Sequence, residues 1–126
     1  MITLARLDHW VLTVQSLENT IDWYTRVLGM GVVTFGDNRK ALTFGEQKIN
    51  LHLLGHEFEP KARQPTSGSA DLCFVINGTL EATLQHLTQS GVTVEEGPVP
   101  RTGALGPIQS VYVRDPDGNL IELSVY

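Results

Sequence analysis

A chain of 126 residues is long enough to bury a core and short enough to form one domain. Its 41% hydrophobic and 18% charged residues suit a folded globule, and a formal charge of −5 argues against nucleic acid or an anionic membrane as partner. The lone Cys73 excludes an internal disulfide and fits a reducing, cytoplasmic location. Met1 to Val14 carries charges without a cleavage-like pattern, and no apolar run approaches the ~20 residues of a membrane span, so neither a secretory leader nor a membrane helix is expected.

Leu4 to Val14 predicts a strand in which Leu7, His9, Val11 and Thr13 share one face. Ser16 is placed to cap a helix, with Glu18 in its first turn and Leu17, Ile21, Tyr24 and Leu28 as its apolar stripe. Gly29 and Gly31 end it. Val32 to Phe35, Lys40 to Phe44 and Lys48 to Leu53 predict three short strands separated by turns at Gly36-Asp37-Asn38 and Gly45-Glu46-Gln47. Gly55 to Ser69, with two prolines and little apolar pattern, predicts a long connection.

The pattern then restarts. Ala70 to Asn77 predicts a strand, and Thr79 caps a helix with Leu80, Leu84 and Leu87 as its stripe, ended by Gly91. Val92 to Val94 predicts a short strand, and Glu96 to Gly106, rich in proline and glycine, predicts a loop. Gln109 to Arg114 and Asn119 to Ser124 predict two more strands, joined by the turn Asp115-Pro116-Asp117-Gly118. This is an internal repeat: about 4–54, a linker of about 55–69, and about 70–126. Three registers support it. Ser16-Leu17-Glu18 matches Thr79-Leu80-Glu81, Leu51-His52-Leu53 matches Ile121-Glu122-Leu123, and Val14 matches Ile76, which sets His9 opposite Asp71, whereas a slip of one sets Asp8 opposite Asp71.

The doubled βαβββ pattern, the His9 strand, "LENTIDWYTRVLGM" and "RDPDGNLIEL" together resemble the vicinal oxygen chelate superfamily of glyoxalases, bleomycin resistance proteins and extradiol dioxygenases. Within it, "RKALTFGEQKINLH", "EFEPKA" and "EEGPVPRTGALGPI" look like the glyoxalase domain-containing protein 5 subgroup. The resemblance implies an α+β fold of two βαβββ units in a single domain, forming a curled mixed sheet with a cleft. It implies a divalent ion (Zn, Ni, Mn or Fe) held by His9, His52, Asp71 and Glu122, and a homodimer in which each site takes ligands from both chains. The activity it implies is that of lactoylglutathione lyase, an isomerisation through a metal-chelated enediolate, with Glu122 moving the proton and glutathione as a possible co-substrate. The alternatives are a non-catalytic binder of a small cationic molecule, a dioxygenase or a glutathione transferase.

Each residue also has a plainer reading. His9 would be a satisfied histidine at a strand start, His52 a half-exposed strand residue, and Glu122 the ion-pair partner of Arg114. Arg101 and Thr102, between prolines and glycines, are candidates to clamp a substrate carboxylate or phosphate. Cys73 is expected in the core, and His56 and His86 at the surface.

Overall fold

The computed structural model describes residues 1–126 as two compact units, Met1–Ser67 and Gly68–Tyr126. The first holds β1 (His9–Val14), α1 (Leu17–Leu28), β2 (Gly31–Phe35), β3 (Arg39–Phe44) and β4 (Gln47–Leu53). The second holds β5 (Asp71–Val75), α2 (Leu80–Gln89), β6 (Glu96–Gly103), β7 (Gly106–Arg114) and β8 (Leu120–Val125). Each contains a four-stranded mixed sheet, ordered β1-β4-β3-β2 in one and β5-β8-β7-β6 in the other. In both, the first and last strands pair in parallel while the remaining neighbours are antiparallel. The βαβββ repeat is therefore real, and the fold is α+β.

The helices begin where the hydroxyl caps predict. Ser16 Oγ accepts from the Asn19 N–H and Thr79 Oγ1 from the Ala82 N–H, each at 3.1 Å. Gly29 closes α1 in the left-handed region, at φ 67°. The buried stripe of α1 is turned from the expected one. Thr20, Trp23, Tyr24 and Val27 are buried, because the indole of Trp23 packs edge-on to Tyr24 and brings that side of the helix inward. In α2 only Leu87 is fully buried; Leu80 and Leu84 are half-exposed.

Three predicted elements need correction. β1 starts at His9 and not Leu4, because the parallel ladder with β4 begins at the His9–Lys48 rung. Val92 to Val94 is not a strand. The ladder to β7 begins only where the Glu95 N–H bonds to the Tyr112 carbonyl. The supposed loop from Glu96 is strand β6, which tolerates Pro98 and Pro100 because it is the sheet's outer strand and carries a register shift between Glu96 and Val99. Gly97 is needed in that bulge: its φ is +106° and a Cβ there would collide with the Ser110 carbonyl oxygen.

The Asp115-Pro116-Asp117-Gly118 turn sets the β5–β8 register. Asp115 Oδ1 accepts from the N–H groups of Asp117 and Asn119 at 2.9 Å, and its Oδ2 from Asn119 Nδ2 at 2.8 Å. Asn119, 1% exposed, then accepts from the Ala70 N–H through Oδ1 at 2.8 Å. One side chain thus ties the turn before β8 to the residue before β5. Asn119→Ala leaves the Ala70 N–H without its acceptor, at about 1–3 kcal/mol, and removes the Asn119 Nδ2 bond to Asp115, at about 1 kcal/mol more. We expect the variant to lose ~3 kcal/mol, read as a lower urea midpoint with an unchanged slope.

Candidate functional site

Side chains alternate across a strand, so the two parallel ladders decide which residues share a face. In the first unit His9, Val11 and Thr13 pair with Lys48, Asn50 and His52. The opposite face, lined by Leu12, Val14, Ile49 and Leu51, is buried. In the second unit Asp71 and Cys73 pair with Leu120 and Glu122, and Ile121 and Leu123 are buried on the other side.

With His9 and Asp71 taken as counterparts, these registers shift the alignment of the later strands. Asp71 lies two rungs from Glu122 on the same face, because its partner is Leu120. The same step from His9, whose partner is Lys48, leads to Asn50. The counterpart of Glu122 is therefore Asn50, at an offset of 122 − 50 = 72, and His52 corresponds to Ser124. The signal was present in the sequence. Ile49-Asn50-Leu51 matches Ile121-Glu122-Leu123 with identical flanks, better than Leu51-His52-Leu53 does. His52 lies four rungs from His9, roughly 13 Å along the strand.

His9 is exposed, and its Nδ1 lies 2.7 Å from Asp8 Oδ2, which leaves Nε2 free. That hydrogen bond is the main reason the Asp8 carboxyl sits below its usual range. Asn50 is 6% exposed, and its buried Oδ1 has no hydrogen-bond partner. An orphaned buried acceptor costs free energy unless a donor or cation meets it. His52 is differently placed. It is 3% exposed, its Nε2 lies 3.4 Å from Arg39 Nη2, and its ring packs edge-on to Phe58 at 5.6 Å. Arginine can only donate, so Nε2 is the acceptor and the proton resides on Nδ1. Burial, then the Arg39 charge, push the His52 pKa below 6.5, with Glu57 opposing in part.

In the second unit Glu122 is half-buried and accepts from Ser110 Oγ at 2.7 Å, with Ser124 Oγ at 3.4 Å. It does not pair with Arg114, which binds Glu95 through two nitrogens at 3.0 Å. Asp71 is exposed at the start of β5. Arg101 and Thr102 point to opposite faces, since they are consecutive on β6. Arg101 alone turns toward the Glu122 face, donating through Nε to the Tyr112 hydroxyl at 2.9 Å and meeting Glu96 at 3.4 Å. Tyr112, the direct partner of Glu122 across the ladder, is a site residue that the sequence reading missed. The alternation of Ser110, Tyr112 and Arg114 on β7 could have found it. Burial is the first cause of its raised pKa, and Glu122 adds to it. Cys73 is exposed, not in the core, with Sγ 3.3 Å from Ser124 Oγ. His56 and His86 are exposed as expected.

No three His, Cys, Asp or Glu side chains of the chain converge on a point that could hold an ion. His9 with Asn50, and Asp71 with Glu122, are two matched pairs, each on one face of its own unit's sheet.

The neutral His52 makes stability depend on pH. Its folded pKa lies below the unfolded value, so the unfolded chain binds more protons. Its contribution is whole above about pH 6.5 and is lost as pH falls below that toward the folded pKa. Urea midpoints measured from pH 8 to pH 5 should fall for the parent, and the fall should be shallower in His52→Gln.

The chain matches the model of the Glyoxalase/Bleomycin resistance protein/Dioxygenase superfamily over residues 6–123. It is 60% identical over 125 residues to Glyoxalase domain-containing protein RDO1 of Mycosarcoma maydis, spanning 99% of this chain and 70% of that protein. It is 57% identical to Virulence protein STM3117 of Salmonella typhimurium over 98% of this chain and 85% of that protein. The crystal structure of STM3117 superposes with a TM-score of 0.98 over 99% of both chains, at 55% identity. A Lactoylglutathione lyase of Escherichia coli O157:H7 is more distant, 31% identical over 94% of this chain and 90% of that protein. With two βαβββ units and a family match across nearly all its length, this chain belongs to the Glyoxalase/Bleomycin resistance protein/Dioxygenase superfamily.

Proposed function

We infer that this chain is a metal-dependent enzyme acting on a small molecule, with lactoylglutathione lyase-like isomerisation as its reaction class. The observation that carries the reading is Asn50, whose buried Oδ1 has no donor and which stands where the second repeat has Glu122. The ion would be held by His9, Asn50, Asp71 and Glu122. Asp8 orients the His9 ring so that Nε2 is presented, the arrangement that carboxylates give metal-binding histidines. His52, named with His9 from the sequence, suits the ion poorly, because its accepting nitrogen already faces a guanidinium. One nitrogen and three oxygens favour Mn²⁺ or Fe²⁺ over Zn²⁺ or Ni²⁺.

A divalent ion supplies Lewis acidity to neighbouring substrate oxygens when it is bound. The protein's part is proton transfer and orientation. Glu122 carries the proton between adjacent carbons, and the Ser110 hydroxyl fixes its carboxylate. Arg101, steadied by Tyr112, would meet a substrate carboxylate or phosphate on the same face. The distant lactoylglutathione lyase supports this class. The likeness to the glyoxalase domain-containing protein 5 subgroup, a cytoplasmic location and glutathione as co-substrate belong to the same reading.

The two half-sites point to a homodimer about a two-fold axis, with His9 and Asn50 of one chain facing Asp71 and Glu122 of the other. Metal titration of untagged protein tests the ligands. Mn²⁺ should raise the melting temperature, since it binds only the folded state. Asn50→Ala and Glu122→Ala should each shrink that rise, and His52→Ala should keep it. An equal rise in every variant sinks the ion site. Loss in His52→Ala alone would return His52 to the ligand set. Glu122→Gln should lower turnover by about 100-fold or more; tight binding of the substrate without turnover in the parent would mark a binding protein instead.

A mixed dimer tests the sharing. One parent would carry His9→Ala with Asn50→Ala, the other Asp71→Ala with Glu122→Ala. Each homodimer has two damaged sites, whereas the heterodimer should contain one intact site. Recovered Mn²⁺ binding on mixing is the expected result. Failure to recover it in a proven heterodimer would place each site within one chain.

A further inference from the structure

The helix-free face of the first sheet carries two cations outside any direct ion pair, although the Asp8 carboxylate feels the Lys48 charge. The chain's ion pairs engage Arg6, His9, Arg26, Lys61, Arg101 and Arg114. Arg39 and Lys48 take part in none. Both lie against one ring: the Arg39 guanidinium carbon is 5.2 Å from the centre of Phe35, and Lys48 Nζ is 4.0 Å from it. Phe58, from the connection after β4, lies 4.5 Å from the same guanidinium. In a chain of net charge −5 this placement is unexpected. A partly buried guanidinium ordinarily gains a carboxylate, because desolvating it alone is costly.

The geometry also says which part of Arg39 remains available. Phe35 and Phe58 contact the guanidinium, so it is met by aromatic rings and left to hydrogen-bond through its edge. Along that edge Nη2 meets His52, while Nε is buried and has no acceptor. The open Nε–H can donate a charge-assisted hydrogen bond to one oxygen of a carboxylate. Lys48, two residues before Asn50 on the same face of β4, adds a second positive charge over the same Phe35 ring.

We propose that Arg39 and Lys48, with Phe35 beneath them and Phe58 as a movable cover, form a subsite for the carboxylate of a small acidic ligand. His52 is a positioning residue there: it accepts from Arg39 and holds the guanidinium edge in place. Phe58, 36% exposed and outside any strand or helix, is the part that must move aside to uncover the Arg39 edge. The assignment rests on the proposed function only in taking the carboxylate to be part of the substrate. The subsite itself needs no metal.

The test is therefore made on chelator-treated, metal-free protein. Acetate and benzoate are titrated against ¹⁵N-labelled chain at constant ionic strength, with chloride and inorganic phosphate as comparison anions. The Arg39 Nε–H resonance should shift and saturate with the carboxylates. Arg39→Lys keeps the charge but loses the edge, and should weaken binding about 10-fold. Lys48→Gln, at a half-exposed position that leaves the fold intact, should weaken it several-fold. Non-saturating shifts equal to those in chloride would overturn the subsite, as would undiminished affinity in Lys48→Gln. Tighter binding of phosphate than of either carboxylate would overturn the choice of ligand. Because no ion is present, a negative result leaves the metal reading standing, and a failed metal titration leaves this one standing.

Discussion

The parallel pairing of first and last strands is the constraint on which the candidate site depends. An antiparallel hairpin could have joined neighbouring strands more simply, but a parallel pair requires the chain to cross over and return. In each unit that crossing is made by the helix and two further strands, so residues far apart in sequence become direct neighbours. His9 meets the rung of Lys48, and Asp71 that of Leu120. A slip of one residue would turn every polar side chain of the face into the core. The Asp115–Asn119–Ala70 hydrogen bonds hold that register in the second unit. In the first, Gln47 Nε2 donates to the Leu7 carbonyl at 2.9 Å, tying the approach to β1 to the start of β4.

Much of this was legible in the sequence because it is local. Hydroxyl caps at Ser16 and Thr79, the glycine that closes α1 and the aspartate turn are decided by residues within one helical turn or one β-turn. The repeat followed from these marks. What was misread depends on partners distant in the chain. β6 looked like a loop because proline argues against strands in general, whereas an outer strand with a bulge accepts it. Tyr112 escaped notice because its neighbour Glu122 lies across a ladder.

The ligand positions show the same division. His9 and Glu122 stand out by residue type. Asn50 does not, since an amide on a strand is ordinary until its oxygen is seen to be buried without a donor. His52 stood out for its chemistry, but the rung it occupies aligns it with Ser124, a hydrogen-bonding position in the other unit. One backbone position thus serves different ends in the two repeats. Arg39 engages His52 in the first, and Ser110 engages Ser124 in the second, at 3.4 and 2.7 Å.

Charge links these observations. The proposed donor set of one imidazole, one amide and two carboxylates carries −2, which a divalent ion neutralises. A third carboxylate in place of Asn50 would leave an excess negative charge and repel an anionic substrate. With the amide there, the charges on the first unit's face outside direct ion pairs include Arg39 and Lys48, both positive. A substrate that brings a carboxylate completes the neutralisation; a cationic one would face two like charges in a setting where desolvation magnifies the repulsion. The overall acidity of the chain, compatible with a cationic ligand, is therefore outweighed by the charges on the face where a ligand would sit.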